Sequence, residues 1–374
     1  MTVEIRHALP LFGDRKAARP EPDEKRRMLL GLPFLATMVS CAPYPTAVAA
    51  TTVPLPAATA QPSNPYNEPL GTSLEGWPYP GPDKFLPLTM EGQPVRMAYM
   101  DFSPTGSANG RSIMLLHGKN FDSSYWAGPI GWLRQSGFRV VVPDQIGFNK
   151  SSKPDLNYTF EALAANTMAL ADALSLSNVS IIGHSTGGML AVRLASIYAE
   201  RIQQVVLEDP IGLVDYRDFV PPQTTETLEQ AERRYTAESY RAFIARYFPM
   251  LPPAEYEPLV EWRMRVALSG EYERFVRATA LTYQMIYRGP VRGLFRSLKP
   301  PVLLLAGEHD RTTPLSAYAA PNIRAEIPTL AAAAREVVKE IPHGQLVEFP
   351  GVGHVPHLEA ATDFQNAVRS FLGS

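Results

Sequence analysis

The sequence contains a single cysteine, Cys41, in 374 residues. An intrachain disulfide is therefore impossible, and no cysteine-based zinc or redox motif can be built. An excess of one charge sign is also missing: 35 Lys and Arg stand against 37 Asp and Glu, a formal net charge of −2. Nothing in that balance points to nucleic acid or to a charged membrane surface as a partner. There is no internal repeat and no metal-ligand spacing, and no apolar run is long enough to span a bilayer as a stable anchor. What is present is a globular balance, 45% hydrophobic and 19% charged, in a chain long enough for a large core plus an accessory segment.

Composition changes sharply along the first ninety residues. Residues 1–27 are polar and end in "EKRR"; "MLLGLPFLATMVS" and then Cys41 follow. A basic flank, a short apolar run and small residues make 1–41 an export signal region. Arg26 and Arg27 before "MLL" resemble a twin-arginine signal. Two cleavage sites compete. "MVSC", with Met38 where Leu is commoner, resembles a bacterial lipoprotein box that would lipidate Cys41 and tether the protein to a membrane. "AVAA", residues 47–50, resembles a small-residue cleavage site. The expected destination is the periplasm or a lipid anchor on the bacterial envelope. Residues 42–82 are rich in Pro and Ala and lack a hydrophobic period, so an extended, disordered tether is expected there.

From residue 83 the pattern becomes that of a folded domain. "PVRMAYMDF", "SIMLLHG", "FRVVVPD", "VSIIGHS", "QQVVLEDP", "PPVLLLAGEHD" and "GQLVEFPGVGH" are strand-like apolar runs, and helical patterns separate several of them. Such alternation predicts an α/β fold with a mostly parallel sheet covered on both faces. The core occupies 83–212 and 299–374. Residues 213–298 hold amphipathic helical stretches rich in Tyr, Phe and Met, and predict a helical cap inserted between two strands.

One stretch carries chemistry. In "VSIIGHSTGGML", residues 179–190, a strand runs into Gly183-His184-Ser185-Thr186-Gly187-Gly188 and a helix follows. This is the context of a G-x-S-x-G elbow, whose sharp turn pushes the serine hydroxyl out of the chain. The bland alternative is a tight structural turn. A nucleophilic Ser185 needs a base, and His354 in "GVGHVPHLE" lies on a loop after the last strand. His357 competes less well because it starts the final helical segment, and His343 precedes the strand. The acid that would orient the base is Asp310, delivered into a loop by "VLLLAGEHD"; Asp209, ending "VVLED", and Glu308 are rivals. "LLHGKNF" ends a strand at Gly118, so the N–H of Lys119 can join that of Thr186 as an oxyanion donor. Such a donor is often worth about 3 kcal/mol. The Lys119 side chain is expected to face solvent or cap a helix, and His117 to hydrogen-bond the loop. Phe121 and Trp126, just after the oxyanion turn, are candidates for binding substrate.

These residues together resemble the α/β-hydrolase superfamily, in its cap-bearing branch. "HGKNFDSSYW", "VVPDQIGFNKSSKP", "GHSTGG", "AGEHD" and "GVGHVPHLE" stand in order over nearly all of residues 85–372. The resemblance implies an eight-stranded, mostly parallel sheet flanked by helices, and the chain order Ser185, Asp310, His354 matches the order of that fold. Some members carry the acid after the earlier strand, which is what makes Asp209 a rival. Asp144, in the segment shared with haloalkane dehalogenases, epoxide hydrolases and C–C bond hydrolases, implies a turn-stabilising role; Asn149 stands where many relatives have Gly. Dehalogenases and epoxide hydrolases use an aspartate nucleophile, whereas this chain has Ser185, which suits acyl transfer. The implied activity is a serine hydrolase acting on carboxylic esters of small to medium apolar or aromatic substrates, with no cofactor and no metal. C–C bond or amide cleavage by the same triad is the alternative, and a non-enzymatic binding protein on this fold is a third reading.

Overall fold

The computed structural model describes residues 65–373. The expected export signal, Cys41 and the expected tether up to residue 64 lie outside the described residues. Eight strands form one sheet: β1 (Lys84–Met90), β2 (Gln93–Phe102), β3 (Ser112–Leu116), β4 (Arg139–Pro143), β5 (Val179–His184), β6 (Ile202–Glu208), β7 (Val302–Gly307) and β8 (Gly344–Phe349). Their order across the sheet is β1-β2-β4-β3-β5-β6-β7-β8. The pairs β1/β2 and β2/β4 are antiparallel, and every pair from β4/β3 onward is parallel.

The central strands read as unbroken apolar runs because both faces are buried. Side chains alternate across the sheet. Met114, Leu116, Leu304 and Ala306 enter one core cluster, while Ile113, Leu115, Leu303 and Leu305 enter the other. Helices cover both faces. They are α1 (Ala127–Gln135), α2 (Phe160–Ala173), α3 (Thr186–Ile197), α4 (Thr225–Arg233), α5 (Ala237–Ala245), α6 (Pro253–Val266), α7 (Tyr272–Arg288), α8 (Pro321–Glu326), α9 (Leu330–Val337), α10 (Pro356–Glu359) and α11 (Ala361–Leu372). Residues of α2, α3 and α9 fill the first cluster; residues of α1 and α11 fill the second. Several helix starts are fixed by threonine caps, as at Thr159, whose Oγ1 accepts from the Ala162 N–H.

Four helices, α4 to α7, lie between β6 and β7, with α4 packed on α7 and α5 on α6. Tyr240, Ile244, Phe248 and Val260 of this insertion join the second core cluster, so it shares a core with the sheet.

The expectation of a disordered tether through residue 82 is corrected from residue 65 onward. Leu70, Leu74 and Trp77 are buried with Trp262, Val266 and Phe275 of α6 and α7. Leu70 N–H donates to the Arg265 carbonyl at 3.0 Å, and Lys150 Nζ donates to the Trp77 carbonyl at 2.9 Å. Three large apolar side chains in an otherwise Pro-rich stretch supply the buried surface that orders it, through turns that leave no periodic signal.

Candidate active site

Strand β5 is buried along its whole length and delivers Ser185 to the N-terminus of α3. Ser185 has φ 54° and ψ −117°, a conformation that costs a residue with a Cβ and persists only where the surroundings enforce it. They do so through hydrogen bonds. The Ser185 N–H donates to the Glu208 carbonyl at 3.0 Å, and its carbonyl accepts from Gly188 at 2.9 Å and Ile211 at 3.3 Å. Gly187 lets the elbow lie against the end of β3: a Cβ there would sit 2.1 Å from the Leu116 carbonyl oxygen.

His354 follows β8 and is buried, as is Asp310 after β7; each is 1% exposed. Nδ1 of His354 lies 2.7 Å from Oδ2 of Asp310, and Oδ1 of Asp310 accepts from the Thr312 N–H at 2.7 Å. Burial works against the Asp310 charge, but the His354 ring and the Thr312 bonds outweigh it and hold the carboxyl below its ordinary pKa. With Nδ1 donating to Asp310, Nε2 is the free basic nitrogen. The rival, Asp209, stands beside Asp310 and has a different partner: its Oδ1 accepts from the Gly307 N–H at 2.9 Å. Its Oδ2 has no donor among the described residues. Burial and then the neighbouring Asp310 charge push the Asp209 pKa well above the usual carboxyl range. Glu308 is exposed and accepts from the Gly351 N–H. Ser185 Oγ makes no hydrogen bond among the described residues; in unliganded sites the contact of nucleophile with base is often long.

The loop after β3 lies directly on the elbow. A Cβ on Gly118 would meet the Ser185 Cβ at 3.1 Å and His184 Nδ1 at 2.9 Å. The main-chain N–H groups of Lys119 and Thr186 donate to no protein acceptor among the described residues. Both residues line one cavity with Ser185.

Two residues that sequence reasoning passed over link this loop to His354. The Gly118 N–H donates to the Tyr125 hydroxyl oxygen at 3.1 Å, and that hydroxyl lies 3.0 Å from His184 Nδ1. His184 Nε2 lies 2.8 Å from the His354 carbonyl oxygen. A carbonyl only accepts, so Nε2 carries the proton and Nδ1 accepts from Tyr125. Burial first, then the neighbouring His354 and His357, push the His184 pKa well below the usual histidine value. Neutral His184 thus ties the loop after β3, through Tyr125, to the loop that carries His354. Its only sequence signal was its place beside Ser185.

Other expectations are corrected. The Lys119 side chain does not face solvent: Nζ donates to the Thr279 carbonyl at 3.0 Å and to Thr282 Oγ1, and stands 4.1 Å from the Tyr283 ring centre. Burial, then the Arg263 charge, pushes its pKa well below that of a free lysine. Phe121 and Trp126 are not among the residues that line the cavity with Ser185. Phe121 packs against Tyr125 and Tyr247, and Trp126 stacks on His357 with ring centres 4.5 Å apart. Large rings close to a turn were claimed by the core, where they bury most area. His357 starts α10 as expected but is buried, its Nδ1 2.8 Å from Glu208 Oε1.

His117 Nδ1 donates to the Gly118 carbonyl at 2.9 Å, while Nε2 accepts from the Gln145 N–H at 3.1 Å. Asp144 accepts from Ser123, Asn149, Tyr79 and the Lys150 N–H. Asn149 has φ 45°, a left-handed conformation that Asn tolerates better than most residues. Its amide donates to the Phe121 carbonyl at 3.1 Å, a bond glycine would not provide.

The cavity itself opens to solvent and has a volume of about 170 Å3. Its walls include Ile211 after β6, Phe243, Tyr247, Tyr283 and Ile286 of the helical insertion, and the stretch 311–316 after β7.

Comparison with known proteins bears on this arrangement. The family model described as "Alpha/beta hydrolase family" matches residues 113–367. A crystal structure of a probable hydrolytic enzyme from Pseudomonas aeruginosa PAO1 is 37% identical, with a TM-score of 0.79, covering 81% of this chain and 98% of that one. Among curated proteins, a haloalkane dehalogenase of Mycolicibacterium paratuberculosis is 31% identical over 48% of this chain and 54% of its own length. The chain thus spans about half of that relative. A 2-hydroxy-6-oxononadienedioate/2-hydroxy-6-oxononatrienedioate hydrolase of Burkholderia vietnamiensis is 26% identical over 77% of this chain and 95% of its own length.

Proposed function

Because the chain belongs to the alpha/beta hydrolase family and is a hydrolase, we propose that it cleaves carboxylic esters through an acyl-enzyme formed on Ser185. The observation that carries this reading is the elbow. A serine at φ 54°, fixed by main-chain hydrogen bonds in the wall of a cavity, is a conformation a structural turn does not need. In the proposed reaction, His354 Nε2 takes the Ser185 proton as Oγ bonds to the ester carbonyl carbon. Asp310 holds the ring by Nδ1–H and stabilises the imidazolium that results. The carbonyl electron pair moves onto oxygen, which accepts from the N–H groups of Lys119 and Thr186. Collapse breaks the bond to the alcohol, which leaves with the proton from His354. Water then gives a proton to His354 and attacks the acyl carbon; Ser185 departs, reprotonated, and the acid is released.

The helical insertion acts in this reading as a cap that selects the substrate, because Phe243, Tyr247, Tyr283 and Ile286 form much of the cavity wall. Labelling with a fluorophosphonate probe tests the proposal. Wild type should label and Ser185→Ala should not; equal labelling of the two overturns it. Cleavage of a C–C bond by the same groups is a second reading. It is supported by the Burkholderia relative, which is named for a 2-hydroxy-6-oxo dienedioate and is matched over 95% of its length. Assaying a p-nitrophenyl ester beside such a dienoate separates the two. Export directed by residues 1–41, with or without lipidation of Cys41, belongs to the proposal on the strength of the "RRMLL" run and the residues after it. Cell fractionation that finds the full-length chain confined to the cytoplasm overturns that part.

A further inference from the structure

The walls of the Ser185 cavity have an unbalanced charge. Lys119, Arg246 and Arg311 line it, and no Asp or Glu does among the described residues. The three cations are also unpaired. Lys119 Nζ is held by the Thr279 carbonyl and the Thr282 hydroxyl, both neutral. Arg246 donates to the Phe243 carbonyl and stands over the Phe243 ring; Arg311 donates to the carbonyls of Glu308 and Asp310. None of the three meets a carboxylate among the described residues, although twelve of the other twenty arginines described there do.

Lys119 differs from the two arginines in depth. Arg246 and Arg311 are exposed, so they act at the mouth, where their field attracts anions and is screened by salt. Lys119 reaches inward and also lines a second, deeper cavity with Asn120, Phe243 and Tyr283. An ammonium has three donors, and two protein acceptors are named here. A half-buried cation whose hydrogen-bond partners are both neutral is costly. Its cost falls when a ligand brings a negative charge. The deeper cavity does not supply one in excess: its one carboxylate, Glu232, is ion-paired with Arg263.

We infer that the substrate carries a carboxylate or other anionic group, bound by Lys119 and drawn in by Arg246 and Arg311, beside an apolar portion packed on Phe243, Tyr283 and Ile286. This narrows the apolar substrate class expected from the sequence, and it rests on the ester-hydrolase reading above. The step itself is unchanged; the anion is a handle that orients the acyl or alcohol half against Ser185.

Two matched ester pairs test the inference on the enzyme as it exists. Mono-p-nitrophenyl adipate is compared with p-nitrophenyl hexanoate, which places the charge on the acyl side. 4-Acetoxybenzoate is compared with phenyl acetate, which places it on the alcohol side. Each kcat/KM is divided by the uncatalysed rate. The expected result is a preference of tenfold or more for the anionic member of at least one pair, weakening as salt rises. Lys119→Met keeps the main-chain N–H and should reduce that preference at least tenfold. Should it fail to fold, Arg246→Gln/Arg311→Gln, at exposed positions, should flatten the salt dependence. Turnover of both members of each pair with no anionic preference overturns the inference and leaves the ester-hydrolase reading standing. No turnover of any ester, with no fluorophosphonate labelling, overturns both.

Discussion

Nδ1 of His354 faces Oδ2 of Asp310 at 2.7 Å, while Asp209, also buried, gives its Oδ1 to the Gly307 N–H. Of the two buried carboxyl groups, Asp310 takes the His354 ring and Asp209 the main chain. Asp310 is held in its charged form by the ring and Thr312; Asp209 is pushed toward its protonated form.

That division predicts unequal kinetic losses. Asp310→Asn removes the acceptor that fixes the His354 tautomer and should lower kcat by about 10³ to 10⁴. Asp209→Asn replaces a group that already favours its neutral form, so kcat should stay within about tenfold of wild type. Steady-state kinetics with one ester checks both, and the reverse ranking would transfer the role of acid to Asp209.

A pH-dependent stability follows from the same pair. In the unfolded chain an aspartate loses its proton near pH 3.9, whereas folded Asp209 keeps it to much higher pH. Above pH 3.9 the folded state therefore binds more protons than the unfolded state at this group, and stability falls as pH rises. Asp209→Asn removes that term, and Asn accepts the φ of 36° found there. The melting temperature of the variant relative to wild type should rise from pH 5 to pH 8; a constant difference would refute this. Asp310 has the opposite sign: its stabilisation is complete above the ordinary carboxyl pKa and is lost as pH falls through its lowered folded value.

Tyr125→Phe removes a hydroxyl that accepts from the Gly118 N–H and donates to His184. Two buried groups are left unsatisfied, at about 1–3 kcal/mol each. The oxyanion loop loses its tie to the base, so kcat should fall about tenfold, close to 1.4 kcal/mol of barrier, with KM little changed. An effect on KM alone would place Tyr125 in binding instead.

Trp77→Ala tests the segment that precedes the sheet. Trp77 is buried against residues of α6 and α7, and deleting a large buried ring costs about 3 kcal/mol or more. Urea unfolding reads this directly. A midpoint equal to wild type would mean the segment contributes nothing to stability.

The strands most legible in the sequence were those buried on both faces, because a run such as "VLLLAG" cannot be anything exposed. β1 was not among them. It contains Pro87, which is tolerated because β1 is an edge strand, and it is half exposed. Its pairing to β2 depends on the Glu91-Gly92 turn, where both residues have positive φ. Ser185, Thr186, His354, Asp310 and Lys119 could be singled out because short motifs fix their position along the chain. The bonds of His184 to Tyr125 and His354 could not, because they join residues 59 positions apart or more. For Lys119 the sequence located the main chain but misjudged the side chain. Its direction depends on α7, more than 150 residues away. Phe121 and Trp126 were misjudged because nearness to a turn says nothing about which side of it a ring enters.

The main chain at Ser185 is hydrogen-bonded on both sides, to Glu208 through its N–H and to Gly188 and Ile211 through its carbonyl. Little freedom is left to it. The opposite wall of the cavity comes from the insertion and from residues 311–316. On the proposed reading, Ser185 and most of the apolar wall that faces it therefore lie on different stretches of the chain. On the proposed reading, an exchange of the helices between β6 and β7 that keeps the Tyr247 carbonyl, which accepts from the His354 N–H at 2.8 Å, would alter the molecules admitted while the reacting atoms stay where they are.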